Sequence, residues 1–86
     1  MLLEIYTPEQ KYFECQVESI TFPGASGSFQ VLNNHAALIS TLEKGKVKYK
    51  NNKEELEVII DGGVVEVLNN RVILLADQIL KEEDLQ

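Results

Sequence analysis

Short runs of β-branched and aromatic residues recur along the chain, and before position 77 no stretch of twelve or more residues keeps a helical 3.6 period. This excludes a helical core. The runs fall at residues 2–7, 11–14, 16–22, 28–32, 37–42, 46–50, 54–60, 63–68 and 71–76. Their number and brevity predict an all-β fold, a flattened β-sandwich or barrel of about nine to ten short antiparallel strands. The punctuation between them has a mechanism. Pro8-Glu9-Gln10 turns the first run into the second, since Pro fixes φ and removes a ladder donor. Asn51-Asn52, Asn69-Asn70 and Asp61-Gly62-Gly63 each read as a tight hairpin turn, because Asn and Gly tolerate the left-handed backbone that such turns need. Pro23-Gly24-Ala25-Ser26-Gly27 and Asn33-Asn34-His35-Ala36 read as longer loops. One domain over residues 1–77 and a short acidic tail over 78–86 follow from this division. The tail is long enough for a helical turn or two and too short for a stable isolated helix.

Alternation within the runs names a core. Leu56, Val58 and Ile60 oppose Glu55, Glu57 and Ile59, and Val47 and Tyr49 oppose the lysines at 44, 46, 48 and 50. The last two runs differ, being apolar on both faces: Val64, Val65, Val67 and Leu68, then Val72 to Ala76. A two-layer sandwich has one interior, so the outer face of these runs needs a cover. A partner and the chain's own loop or tail are both open as that cover.

With 86 residues, a domain buries only about 60% of the surface its unfolded chain exposes, which leaves little room for an enclosed substrate pocket. Fourteen acidic against eight basic side chains give a net charge of -6 and argue against nucleic acid, whose phosphates demand a basic patch. The alternating lysines mark one solvated strand face instead. The longest uninterrupted apolar run, residues 72–76, is far short of the roughly 20 residues of a membrane-spanning helix, so no direct membrane span is expected. The N-terminus lacks the basic and apolar regions of a secretion signal, and the lone Cys15 cannot form an internal disulfide; a reducing, cytoplasmic setting fits.

Chemistry-bearing clusters are sparse. One Cys and one His, twenty positions apart, do not make a metal site. Cys15 and His35 as nucleophile and base lack an elbow or oxyanion hole, and Cys15 reads as a small strand hydrophobe. Gly24-x-x-Gly27 has no helix after it and no Lys-Ser or Lys-Thr pair, so it reads as a loop rather than a phosphate cradle. His35, the only side chain with an unperturbed pKa near neutrality, opens the apolar Ala36-Ala37-Leu38-Ile39; a contact role and a loop-packing role are both open. No cofactor is implied, and the residues point to recognition rather than catalysis.

The order of motifs then becomes informative. LEIYTPEQKYFECQVESITFPGASGSFQVLNNHAALISTLEKGKV, and later DGGVVEVLNNRVILLAD, resemble the epsilon subunit of the rotary F-type ATP synthase, whose members usually read LxIxTPE, VxSxxxPGxxGxxGILPGHAPLLTxLxxG and SGGFVEVxxNxVTVLAD. The resemblance runs from about Leu3 to Asp77. It implies a flattened ten-strand sandwich in the central stalk, bound to the gamma subunit, resting on the membrane ring of c subunits, and carrying no catalytic residue. By analogy the loops holding Gly27, Ser28, Asn33, Asn34 and His35 share one end of the sandwich near the c ring. The apolar flank of Ala36, Ala37, Leu38, Leu74 and Leu75 is the candidate gamma contact, with one of the two adjacent leucines in the core and the other in an interface.

The chain departs from the family in two places. Where members have Gly-Ile-Leu-Pro-Gly-His-Ala-Pro it has Gln30-Val31-Leu32-Asn33-Asn34-His35-Ala36-Ala37, and Ser28 stands at a position that is often acidic. Members commonly continue past this point into a two-helix domain that inhibits ATP hydrolysis and in some cases binds ATP. The sequence stops at Gln86, so the expectation is a short form without that helical hairpin and without ATP binding. The reading is a non-catalytic coupling subunit of a proton- or ion-translocating ATP synthase, peripheral on the cytoplasmic face of the bacterial plasma membrane. The alternative is a free-standing β-sandwich adaptor for a peptide or small ligand.

Overall fold

In the computed structural model, residues 1–81 are described, and among them every regular element is a strand. The strands are β1 (Leu2–Tyr6), β2 (Lys11–Gln16), β3 (Ser19–Phe22), β4 (Phe29–Leu32), β5 (Leu38–Asn51), β6 (Glu54–Leu68), β7 (Arg71–Ala76) and β8 (Ile79–Leu80). They form one sheet in the order β2-β1-β7-β6-β5-β3-β4, with β8 added alongside β6. The path ends on β2 and β4 without closing, so the fold is an open sandwich and not a barrel.

The sandwich arises because one long hairpin serves both layers. Residues 63–67 of β6 pair with 38–42 of β5 and lie beside β7, β1 and β2; residues 54–61 of β6 pair with 44–51 of β5 and lie beside β8, β3 and β4. Eight strands thus supply ten segments. Leu3, Ile5, Val65 and Leu74 from the first layer and Ile20, Phe22, Val47 and Ile60 from the second meet in one buried cluster. Phe13 of β2 and Tyr49 of β5 close one flank of it, their rings 5.6 Å apart. Each fully buried aliphatic or aromatic side chain stabilises the fold by roughly 1.5–3 kcal/mol.

Several expectations are corrected here. The runs at 37–42 and 46–50 are parts of a single strand, as are those at 54–60 and 63–68, and these two strands are long rather than short. Asp61-Gly62-Gly63 is therefore not a hairpin turn but the bend where β6 crosses from one layer to the other. Gly62 and Gly63 have φ of 85° and 153°, and a Cβ on Gly63 would run into the Leu75 carbonyl oxygen of β7. The bend also shifts the alternation. Leu42 and Val47 are both buried although five residues apart, as are Ile60 and Val65, an odd interval that an unbroken strand would place on opposite faces. Nor is the pairing wholly antiparallel, since β1 and β7 run parallel with Leu3 opposite Val72 and Ile5 opposite Leu74.

Asn69 and Asn70 both adopt positive φ and join β6 to β7, as the sequence predicts. At the β5–β6 turn only Asn52 does so, because Asn51 still pairs with Glu54 and the turn shifts by one residue to Asn52-Lys53. The Pro8 turn closes with Thr7 N–H donating to Gln10 O at 2.9 Å. The start of the tail is extended and not helical. Asp77 N–H donates to Gly62 O, Asp61 N–H donates to Gln78 O, and Ile79 and Leu80 then pair with Ile60 and Ile59. The acidic stretch expected beyond this point, 82–86, lies outside the described residues.

Candidate docking face

The two layers turn different outer surfaces to water. In the first layer the residues opposite the core alternate with buried ones: Arg71, Ile73 and Leu75 on β7 against Val72, Leu74 and Ala76, and Val64, Glu66 and Leu68 on β6 against Val65 and Val67. Register then sets them side by side, with Val64 opposite Leu75, Glu66 opposite Ile73 and Ile39 opposite Glu66. The result is a contiguous apolar face. Ile39 is 71% exposed, Leu75 53%, Leu68 50% and Val64 40%, and Ile39, Val64, Glu66, Ile73 and Leu75 line a shallow open groove on it. The described part of the tail goes to the other layer, so it does not cover this face.

Beside this face is a charged cluster. Glu4 of β1 points away from the core, opposite Ile73, yet is only 3% exposed. Arg71 Nε donates to Glu4 Oε2 at 2.5 Å, the Tyr6 hydroxyl donates to Oε1 at 3.0 Å, and Lys11 Nζ lies 3.4 Å from Oε1. The Arg71 hydrogen bond, opposed by desolvation, is the largest influence and holds the Glu4 carboxyl down to about 2. Glu4 in turn raises the Arg71 pKa, and Lys11, bonded mainly to Glu14, is raised as well. The cluster ties β1, β2 and β7 together across their outer surface. Sequence reasoning passed over it because a Glu in an otherwise apolar strand reads as ordinary solvent-side alternation.

The loop residues singled out from sequence separate into two groups. Gly27 and Ser28 precede β4, and Asn33, Asn34 and His35 follow it, so they stand at its opposite ends and do not share one end of the sandwich. The first loop packs at the bend, with Ala25 N–H donating to Thr41 O and Glu43 N–H to Pro23 O. The second is tied to the far end. The Met1 amine donates to Asn33 Oδ1 at 2.9 Å, and Asn34 N–H donates to Asn70 Oδ1 at 2.8 Å. His35 is exposed, its Nδ1 2.7 Å from Ala36 O.

The apolar flank divides too. Ala36 and Ala37 are exposed, and Leu38 is half-buried against the core. Leu75 is on the surface and Leu74 is fully buried, so Leu74 is core and cannot touch a partner. Cys15 faces the core from β2, where burial pushes its thiol pKa up. Ile39, Val64, Glu66 and Ile73 belong to the face but were not picked out as contacts; the signal that could have found them is the double apolarity of the late runs combined with register.

Among the described residues no three His, Cys, Asp or Glu side chains converge as a metal site, and no helix is long and apolar enough to cross a membrane. What the geometry offers is a contiguous apolar surface carried on β5, β6 and β7. Known proteins give the family. Residues 1–82 match the model of the ATP synthase delta/epsilon chain β-sandwich domain. A protein named ATP synthase epsilon chain from Dehalococcoides mccartyi is 35% identical over 83 residues, 96% of this chain and 59% of that one. Its namesake from Chlorobium limicola is 38% identical over 78 residues, 90% of this chain and 89% of the relative. The chain thus spans about three fifths of the first relative and most of the second.

Among solved structures, a chain of the Euglena gracilis mitochondrial ATP synthase superposes with a TM-score of 0.86 at 18% identity, covering 98% of this chain and 54% of that one. A chain in a Tetrahymena thermophila mitochondrial ATP synthase structure described as central stalk and c ring does so at 0.82 and 18%, covering 99% and 69%. At that identity these two establish the fold. Family model and sequence relatives agree, the fold is consistent with both, and this chain belongs to the ATP synthase delta/epsilon chain β-sandwich family.

Proposed function

We propose that the chain serves as a non-catalytic epsilon subunit in the central stalk of a bacterial F-type ATP synthase, coupling the gamma subunit to the membrane c ring, with the outer face of β7, β6 and β5 as its gamma-docking surface. The observation that carries the assignment is the contiguous apolar face of Ile39, Val64, Ile73 and Leu75, which nothing in the described chain covers. Such a patch on a small soluble domain marks a contact with another macromolecule. The names of the relatives and the central-stalk context of one fold neighbour support an occupant within the stalk, and gamma is the stalk subunit that the reading assigns to it. In this role the subunit is peripheral to the membrane on its cytoplasmic side.

Of the two loops, Gly27–Ser28 is the more suitable for the c ring. It is exposed, and a Cβ on Gly27 would meet nothing within 4 Å, whereas Asn33 and Asn34 are engaged by Met1 and Asn70. Co-expression with the cognate gamma and c subunits tests both halves of the proposal. The chain should co-purify with gamma. In a Cys15→Ser background, Ser28→Cys should cross-link to the c ring while Asn34→Cys should not. Failure to form a complex with gamma removes the functional assignment, and the reverse cross-linking pattern removes the orientation.

A further inference from the structure

One charged side chain lies inside the apolar face. Glu66 has Val64 and Leu68 on either side along β6, and Ile39 and Ile73 on either side across the sheet. It lines both shallow grooves of the face, one with Ile39, Val64, Ile73 and Leu75, the other with Leu68, Asn69, Arg71 and Ile73. Among the described residues it has no ion-pair partner. Arg71, the cation that shares its groove, donates to Glu4 instead. In the free chain this costs nothing, because Glu66 is exposed and water solvates the carboxylate. Docking changes that. When apolar neighbours lose their water, a carboxylate among them loses it too, and an unpaired desolvated charge opposes association.

Two occupants can be compared on these terms. A second copy of the chain would bring another Glu66 toward the first, between molecules of net charge -6, which is repulsive. A partner with a cation among apolar side chains turns the same carboxylate into an attractive and selective contact.

We infer that Glu66 is the specificity carboxylate of this face, and that the gamma surface docking on it presents a guanidinium or ammonium group, ringed by apolar side chains, which pairs with Glu66 as the interface dries. The inference rests on the proposed gamma-docking function and adds to it the chemistry of the matching surface. It also explains why an otherwise apolar stripe keeps a charge at its centre: an apolar residue at 66 would bind non-selectively and expose a larger hydrophobic patch in the free chain.

The test is calorimetric titration of the full chain into its cognate gamma subunit at low and high salt, with Glu66→Gln, Glu66→Lys and Leu75→Glu as variants. Thermal unfolding serves as the check that each variant folds. Glu66→Gln keeps the shape and removes the charge, so it should weaken binding by about 30-fold or more and flatten its salt dependence. Glu66→Lys should abolish binding, as should Leu75→Glu. Wild-type affinity and salt dependence in Glu66→Gln, alongside loss of binding in Leu75→Glu, would overturn the inference and leave the gamma assignment standing. A wild-type chain that fails to bind gamma overturns the functional assignment and the inference together. Self-association of the free chain that Leu75→Glu disrupts would assign the face to a second copy and overturn the inference as well.

Discussion

The two outer faces of this sandwich are built on the same pair of strands and differ in kind. On one half of the β5–β6 hairpin lysines stand opposite glutamates, Lys48 facing Glu57 and Lys50 facing Glu55, with Lys46 Nζ 3.7 Å from Glu57 Oε1. On the other half Ile39, Val64 and Leu68 stand outward next to Ile73 and Leu75, with Glu66 the one charge in their midst. The first surface is complete in water: Lys48 and Lys50 each have a glutamate directly across the ladder, and Lys46 reaches Glu57 diagonally. The second becomes complete only against something else. A single hairpin can therefore provide a solvated back and a docking front, provided it bends so that each half contributes a separate face to the core.

The largest effect expected along this divide separates two adjacent residues. Leu74→Glu places an unpaired charge in the core and should cost at least about 3 kcal/mol, enough to unfold much of a small domain. Leu75→Glu, one position on, should leave the melting temperature nearly unchanged. Equal destabilisation by the two would break the distinction between core and front.

The bend comes next. Gly63→Ala puts a side chain against the Leu75 carbonyl at a φ of 153°, a strain of roughly 1–3 kcal/mol, measurable by urea unfolding. A neutral result would mean that the layers do not depend on that close approach.

Acid should act on the front more than on the back. Glu4, held to about 2 against an ordinary value of 4.5, binds protons less readily when folded. Its contribution is therefore fully present above pH 4.5 and is lost as pH falls through about 2. Glu4→Gln should lower the urea midpoint at pH 7, and the gap from wild type should narrow at pH 3; a gap independent of pH would contradict the Arg71 pairing. Smallest of all is the back face. A double-mutant cycle on Lys46 and Glu57 should give a coupling below about 1 kcal/mol, as for other exposed ion pairs.

Local pattern made much of this legible in advance. Alternation alone placed Val47, Val58 and Ile60 inside and the lysine row outside, and Asn69-Asn70 announced a left-handed turn; Leu56, expected on the same inner face, is instead 40% exposed near the end of the hairpin. The missing features are non-local. Asp61-Gly62-Gly63 has the composition of a hairpin turn, and only the pairing of Lys44 with Asp61 and Leu42 with Gly63 shows that the partner strand continues past it. The parallel pairing of β1 with β7 joins segments from opposite ends of the chain, which no short window reveals. Leu74 and Leu75 look equivalent in a run apolar on both faces until register with β6 and β1 assigns one inward and the other outward. Ser28 and Asn33 are neighbours in sequence, yet an intervening strand puts them at opposite ends of β4.

The central claim is that the apolar front, and not the charged back, meets the gamma subunit. Affinity for cognate gamma should be measured by calorimetry for Leu75→Glu and for Lys48→Glu, two charge-changing substitutions at exposed strand positions on opposite faces. The expected result is loss of binding in Leu75→Glu and wild-type affinity in Lys48→Glu. Retained binding in a folded Leu75→Glu, or loss confined to Lys48→Glu, would contradict it.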